Sequence, residues 1–138
     1  MKRWVEDIKG IGDLEYIIFK KIPMRETQWG PAVELSEKIM EQMAARAIIE
    51  CGLPLRGREV RFLRKCLGLS LHAFAEKLDL SSTAILKWEK LDNDRLHVIN
   101  EVAVRSFVAE ALNVDVSGKC SQLRGTEKTP KVLELKAS

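Results

Sequence analysis

The chain has 138 residues, 46% of them apolar and 31% charged, and a formal net charge of +3 at pH 7. This length allows one domain with an appendage, and the mildly basic charge permits a nucleic-acid partner without requiring one. No apolar run approaches the roughly 18 residues of a membrane span, and the start MKRWVEDIKG has no signal-peptide core. We therefore expect a cytoplasmic protein with no membrane partner.

Cysteine and histidine usage argues against metal and disulfide chemistry. The three cysteines, Cys51, Cys66 and Cys120, include no C-x-x-C pair, and the chain has only two histidines. Neither a disulfide framework nor a zinc site is indicated. The sequence also shows no nucleophile with a matching base and no phosphate-cradling glycine loop, so we expect neither an enzyme nor a cofactor.

The N-terminal residues 1–12 favour a short amphipathic helix. Trp4, Val5, Ile8 and Ile11 recur at helical spacing, and glycines follow at the end of the segment. Trp4 either anchors a partner or packs onto its own domain.

Residues 14–22 predict a strand, because they are rich in β-branched and aromatic residues. Residues 25–30 predict a loop that contains Trp29, and residues 32–35 a second short strand. The resulting two-stranded ribbon is too small to be stable alone, so it must pack on another element.

A helix is predicted over residues 31–51, where two apolar stripes lie side by side and acidic residues lie outside them. Gly52 and Pro54 end this helix.

The stretch 57–90 predicts three short helices separated by tight connections. The first helix ends near Leu67, before Gly68, and the next two begin after the capping residues Ser70 and Ser81. The third helix turns small polar groups and a lysine outward. Two helices joined by such a turn describe a helix-turn-helix.

The run LRKCLGLSLHAFAEKLDLSSTAILKWEK resembles the lambda-repressor-like (Xre) helix-turn-helix family, whose members typically read LR…LGLSQ…LA…LGVS…T…I..WE.G. The matches lie in register throughout the run. They are Leu63, Arg64, Leu67, Gly68, Leu69, Ser70, Phe74, Ala75, Leu78, Leu80, Ser81, Thr83, Ile85, Trp88 and Glu89.

This resemblance implies roles for the third helix, which the family places in the DNA major groove. Ser82, Thr83 and Lys87 would face the bases, and Ala84 would lie near enough to touch a thymine methyl group. Lys87 is the strongest single candidate. The Ser82 and Thr83 hydroxyls can hydrogen-bond to phosphates and to several base edges. The operator sequence therefore cannot be deduced from them.

Two positions depart from the family pattern. Leu71 stands where the family usually has a glutamine that contacts DNA, and Leu86 occupies a position that is usually polar. The first change removes an expected hydrogen bond, and the second puts an apolar group on the outer face.

The resemblance also assigns Arg64 and Glu89 to a buried ion pair that ties the first helix to the third. Neighbouring basic residues have no such assigned partner, so they either contact phosphates or form an ordinary solvated face. The phosphate candidates are Arg56, Arg58, Arg61 and Lys65, together with Ser70.

Residues 95–113 predict a long helix whose apolar residues cover more than one face. One face can close the helix-turn-helix core. The other is a dimer interface, comprising Val98, Val102, Phe107 and Val108, since two-fold dimers read two half-sites. The alternative is a central helix buried within a monomer.

The sequence thus predicts three regions. Residues 1–52 form a β-ribbon plus helix, residues 53–114 a helix-turn-helix domain with its long dimerisation helix, and residues 115–138 a basic tail. Within the tail, residues 117–131 are polar and predicted to be flexible, and they contact phosphates, bind a partner or only keep the chain soluble.

Together these features predict a mainly α protein of the α+β class that acts as a homodimer. It would bind operator double-stranded DNA and exclude polymerase. The order of elements also resembles antitoxin regulators of the MqsA and HigA kind, without their zinc-binding module. The competing hypothesis is therefore a protein-interaction module that neutralises a toxin-like partner and binds DNA only weakly.

Overall fold

The computed structural model describes residues 2–116, 125–126 and 128–136. The chain divides into two compact units. The first comprises Met1–Ala44 with Pro130–Ser138, and the second comprises Ala45–Thr129.

The first unit is built on a four-stranded sheet, which contradicts the predicted mainly α class with only a small ribbon. Its strands are β1 (Arg3–Ile11), β2 (Leu14–Thr27), β3 (Gly30–Val33) and β4 (Leu133–Lys136). β2 is the central strand, antiparallel to β1 and β3 and parallel to β4, so the sheet is mixed. The buried apolar side chains of β2 are Leu14, Tyr16, Ile17, Phe19, Ile22 and Met24.

The predicted N-terminal helix over residues 1–12 was wrong, because Arg3–Ile11 is strand β1. Trp4 and Ile8 are four residues apart, a spacing that puts two side chains on one face of a helix and equally on one face of a strand. Pairing decides between the two. Trp4 lies opposite Met24 and Ile8 opposite Phe19, so β1 covers an edge of the strand that carries the core.

A β-bulge interrupts the pairing of β1 with β2 between Glu6 and Ile8. The extra residue is on β2, where Lys20 and Lys21 lie opposite the single residue Asp7. Asp7 accepts hydrogen bonds from Lys20 Nζ at 2.6 Å and from the backbone N–H of Lys21 at 3.0 Å. Lys21 adopts a left-handed φ of 52°, which a residue other than glycine adopts only at a cost. Asp7 therefore holds the extra residue of the bulge in place.

The helix predicted over residues 31–51 is α1 (Glu37–Glu50). It begins later than predicted because β3 takes residues 30–33, and Ser36 Oγ accepts from Ile39 N at its start. The predicted loop over residues 25–30 is shorter, since β2 continues to Thr27.

The second unit contains α2 (Gly57–Cys66), α3 (Leu71–Lys77), α4 (Ser82–Lys90) and α5 (Val98–Ala111), with α4 in contact with both α2 and α3. Its buried apolar side chains include Val60, Leu63, Phe74, Ile85, Val104 and Val108. None of the described helices combines the length and the apolar composition that crossing a membrane requires.

A buried charged network holds α5 to the segment before α2. Glu101 is fully buried and accepts from Leu55 N at 2.8 Å and from Arg95 Nε and Nη2 at 2.7 Å each. Arg105, also buried, donates to the carbonyl oxygen of Leu53. Burial lowers the pKa of Arg105, and the neighbouring Glu101 opposes that effect.

The predicted flexible segment, residues 117–131, falls partly outside the described residues. Residues 117–124 and 127 are not described, whereas Thr126 N donates to Gly52 O at 2.6 Å. Residues 133–136, which we placed in the basic tail, form β4, and Ile17 and Leu133 are partners in its register with β2.

Candidate nucleic-acid interface

The outward face of α4 carries most of the predicted base-facing side chains. Thr83 and Lys87 are exposed and four residues apart, so they lie one above the other on the helix surface. Ser82 and Ala84 are half-buried at the first turn. The opposite face holds the buried Ile85 and Glu89, which fixes the rotation of the helix about its axis.

Two serine caps set the start of the two helices, as predicted. Ser70 Oγ accepts from Ala73 N at 3.1 Å, and Ser81 Oγ accepts from Ala84 N at 3.2 Å. Each cap satisfies one of the N–H groups that a helix leaves unbonded at its start. The hydroxyl proton of Ser70 stays available to a phosphate oxygen, because the cap uses only the acceptor side of the oxygen.

Arg64 and Glu89, which we assigned to an ion pair, are in contact. Arg64 Nε donates to Glu89 Oε2 at 2.6 Å and Nη2 to Oε1 at 3.0 Å, while Nη1 donates to Leu69 O at 3.0 Å. The side chains are 12% and 5% exposed. This paired, bidentate geometry ties α2 to α4.

Gly57, at the start of α2, packs directly on the backbone at the end of α4. A Cβ atom built on Gly57 would lie 2.5 Å from Asp92 N, 2.6 Å from Trp88 O and 2.7 Å from Glu89 O. Only a residue without a side chain fits, so Gly57 sets the approach of α2 to α4.

Arg56 is the most constrained of the predicted phosphate contacts. Its Nε and Nη2 donate to the two carboxylate oxygens of Glu59 at 2.7 Å each, and its backbone N–H donates to Glu59 Oε1 at 3.0 Å. Glu59 is fully buried and anchors this arginine to the first turn of α2.

Arg58 and Arg61 share the carboxylate of Asp92. Arg58 Nε and Nη2 donate to its two oxygens at 2.8 and 3.1 Å, and Arg61 Nη2 lies 3.8 Å from Oδ1. The hydrogen bond from Arg58 holds the pKa of Asp92 below its usual value, so this carboxylate stays ionised at neutral pH. Its negative charge offsets part of the basic run.

Exposed leucines surround α4. Leu86 lies on the helix itself and is 38% exposed, and Leu80 and Leu91 flank the helix with similar exposure. Leu71, at the first position of α3, is half-buried, and Lys65 on α2 is exposed. The face around the predicted base contacts is thus a mixture of cations, hydroxyls and apolar side chains.

The four predicted dimer-interface residues of α5 lie in different environments. Val108 is fully buried in the core, and the ring of Phe107 lies 5.7 Å from that of Phe74. Val98 and Val102 are half-buried, whereas Ile99, which we did not single out, is 74% exposed. The apolar surface that α5 leaves open is therefore near its start.

Sequence reasoning missed three acidic partners of the basic residues: Glu59, Asp92 and Glu101. The spacing of Glu59, three residues after Arg56, is a local signal that could have been used. Asp92 gives no comparable signal, because 34 positions separate it from Arg58.

Comparison with known proteins finds no family model, no curated protein and no solved structure that matches this chain. Among the described residues, no group of three or more His, Cys, Asp and Glu side chains could hold a metal ion.

Proposed function

We propose that the chain is a cytoplasmic DNA-binding transcriptional regulator of the lambda-repressor-like helix-turn-helix kind. Its second unit would place the exposed face of α4 in the major groove of an operator and block polymerase. It would act as a homodimer, because one short helix reads only a few base pairs.

One observation supports this proposal above the others: α4 is fixed on its buried side and exposes Thr83 and Lys87 on the other. The Arg64–Glu89 pair and Gly57 fix its position relative to α2, and the Ser81 cap fixes its start. Thr83 and Lys87 then project from a helix that does not have to reorganise when it binds.

Phosphate contacts would come from the exposed Lys65, from the Ser70 hydroxyl and from the guanidinium groups of Arg58 and Arg61. Arg56 contributes less, because its Nε and Nη2 donors are bound to the buried Glu59. Each phosphate that a cation neutralises releases counterions and steepens the dependence of affinity on salt.

The test is fluorescence anisotropy of the full chain with its own upstream intergenic DNA and with a scrambled duplex, at two salt concentrations. We expect the upstream DNA to bind at least about a thousandfold more tightly than the scrambled duplex. Lys87→Ala should remove most of that difference, since a base contact carries specificity.

Lys38→Ala is the matched control, because Lys38 is an exposed lysine on α1 in the first unit. It removes the same charge from a residue outside α4. Equal, weak binding of both duplexes that disappears as salt rises would reflect counterion release alone, and would contradict the proposal.

A protein-interaction module is the second candidate, and the exposed Leu80, Leu86 and Leu91 favour it. Apolar groups on a groove-facing helix contribute little to phosphate binding, whereas they are suited to a protein partner. Leu86→Glu would then abolish co-purification with a toxin-like partner encoded nearby. Under the DNA-binding proposal the same variant weakens binding to the upstream duplex instead.

A further inference from the structure

The first unit contains an apolar cavity of about 360 Å³ that neither the sheet nor α1 fills. Of the residues that line it, Glu37 alone carries a charge. The apolar side chains around it are Ile8, Ile11, Val33, Leu35 and Met40.

Backbone geometry keeps the cavity open on one side. Gly10 and Gly12, which also line it, have φ values of +82° and +55°. This left-handed conformation favours glycine, so at these two positions no side chain extends into the space. The volume is at the small end of ligand pockets, which span roughly 300–1,000 Å³, and one large aromatic side chain fits within it.

The same unit also contains a tryptophan whose side chain is almost fully exposed. Trp29, at the tip of the hairpin between β2 and β3, is 88% exposed. Tryptophan is the side chain that most often dominates a protein interface when it fills a pocket on the partner. Its exposure shows that it does not occupy the cavity of its own molecule.

The hairpin holds Trp29 in a defined position. Thr27 Oγ1 donates to Gly30 O at 2.6 Å and accepts from Trp29 N at 3.1 Å. Because these bonds close the tip, the backbone of Trp29 is already ordered and only its side-chain torsions have to be fixed when the indole binds elsewhere.

We infer that the first unit mediates self-association, with Trp29 of each copy inserted into the apolar cavity of a second copy. Apolar walls and the Met40 thioether suit the indole ring, and Glu37 can accept the indole N–H. Each molecule carries both the side chain and the cavity. In a two-fold dimer, the tryptophan of each copy can therefore enter the cavity of the other. This inference goes beyond the proposed DNA binding and does not depend on it.

The register of the sheet places Trp29 far from only one wall of the cavity. The β1 wall pairs with the end of β2 where Ile8 lies opposite Phe19, roughly 26 Å along the strand from Thr27 at about 3.3 Å per residue. Val33, in the other wall, follows Trp29 by four residues. The exposure of Trp29 therefore carries the inference that the cavity is left for a second copy.

The test follows Trp29 directly by fluorine NMR of the full chain labelled with 5-fluorotryptophan. The Trp29 resonance is assigned by its loss in Trp29→Phe. We expect it to shift with protein concentration, and sedimentation should show association that Trp29→Ala weakens at least about thirtyfold.

Complementary variants make the test specific. Val33→Glu places a carboxylate in the wall of the cavity, and Val5→Glu makes the same change at an exposed β1 residue away from it. Val33→Glu should abolish the concentration-dependent shift, and Val5→Glu should retain it. Adding unlabelled Trp29→Ala, which has an intact cavity, to labelled Val33→Glu, which has an intact tryptophan, should restore the shift.

Two results would overturn the inference. One is a Trp29 resonance that does not change with concentration, even if the chain dimerises through α5. The other is a mixture of the two variants that leaves the resonance unshifted although both variants are folded by circular dichroism. Neither result bears on DNA binding, which the anisotropy experiment measures separately.

Discussion

Arg58 donates to both carboxylate oxygens of Asp92, at 2.8 and 3.1 Å, and so joins the first turn of α2 to the turn that follows α4. Arg61 lies 3.8 Å from the same carboxylate. Two cations that could meet DNA phosphates are therefore held by one anion. Binding to phosphate would require each guanidinium to exchange or share this partner.

Asp92→Asn should therefore bind DNA more tightly, because it removes the competing charge while keeping the shape of the side chain. We expect an increase on the order of fivefold at low salt, alike for the upstream and scrambled duplexes, because phosphate contacts carry no sequence information. Fluorescence anisotropy measures this effect. Asp94→Asn, an exposed carboxylate two positions away, is the control for net charge. Equal affinities for Asp92→Asn and wild type would place Arg58 and Arg61 away from the phosphates.

Gly57→Ala should destabilise the second unit, because the added methyl group would lie 2.5 Å from Asp92 N and 2.6 Å from Trp88 O. These are backbone atoms, which cannot rotate away, so the cost should be about 2 kcal/mol or more. Urea unfolding followed by circular dichroism measures it.

Gly68→Ala is the comparison, since Gly68 has a φ of +69° with open space around it. The substitution there should cost only the left-handed conformation, about 1 kcal/mol. If both variants unfold alike, close packing of α2 on α4 does not limit stability.

The helices of the second unit could be predicted because their boundaries are encoded locally. Ser70 and Ser81 cap the residues three positions after them, and Gly68 adopts the left-handed conformation right after the end of α2. Signals of this kind involve neighbours in the sequence, so they do not depend on contacts with distant parts of the chain.

Only part of the sheet could be predicted in the same way. The strand predicted over residues 14–22 lies within β2, whereas β1 and β4 are defined by distant partners. β4 is only Leu133–Lys136, and its register with β2 joins Ile17 to Leu133. The spacing of Trp4 and Ile8 suits a helix as well as a strand, and only β2 decides between them. The same limit applies in the candidate site. Asp92 is distant in the sequence from Arg58 and Arg61, so the sequence does not indicate that it is their partner.

Asp7→Asn should loosen the bulge between β1 and β2 in a pH-dependent manner. Hydrogen bonding from Lys20 lowers the pKa of Asp7 below 3.8, and Asp7 raises the pKa of Lys20 above 10.5. The stabilisation from Asp7 is therefore complete above about pH 4 and lost as the pH falls through the lowered pKa. The contribution of Lys20 is complete below 10.5 and lost as the pH rises through the raised pKa.

Thermal unfolding of wild type and Asp7→Asn at several pH values checks this prediction. The variant should melt at a lower temperature at pH 7, and the difference should shrink towards pH 2. Glu6→Gln, the neighbouring exposed carboxylate of β1, should melt like wild type at both pH values. A constant difference between wild type and Asp7→Asn across this range would mean that the charge of Asp7 is irrelevant to the bulge.

Glu89→Gln should be the most destabilising of these substitutions, because it leaves the guanidinium of Arg64 buried without a full countercharge. Breaking a buried pair from one side costs about 3–5 kcal/mol. Glu50→Gln breaks the exposed pair with Arg46, whose side chains are about half exposed, and should cost less than about 1 kcal/mol. Urea unfolding of both variants gives the comparison.

Replacing both Arg64 and Glu89 by leucine should recover much of the loss, since no charge is then left buried. A Glu89→Gln variant as stable as Glu50→Gln would show that the pair does not fasten α4, and the rigid presentation of Lys87 would then need another cause.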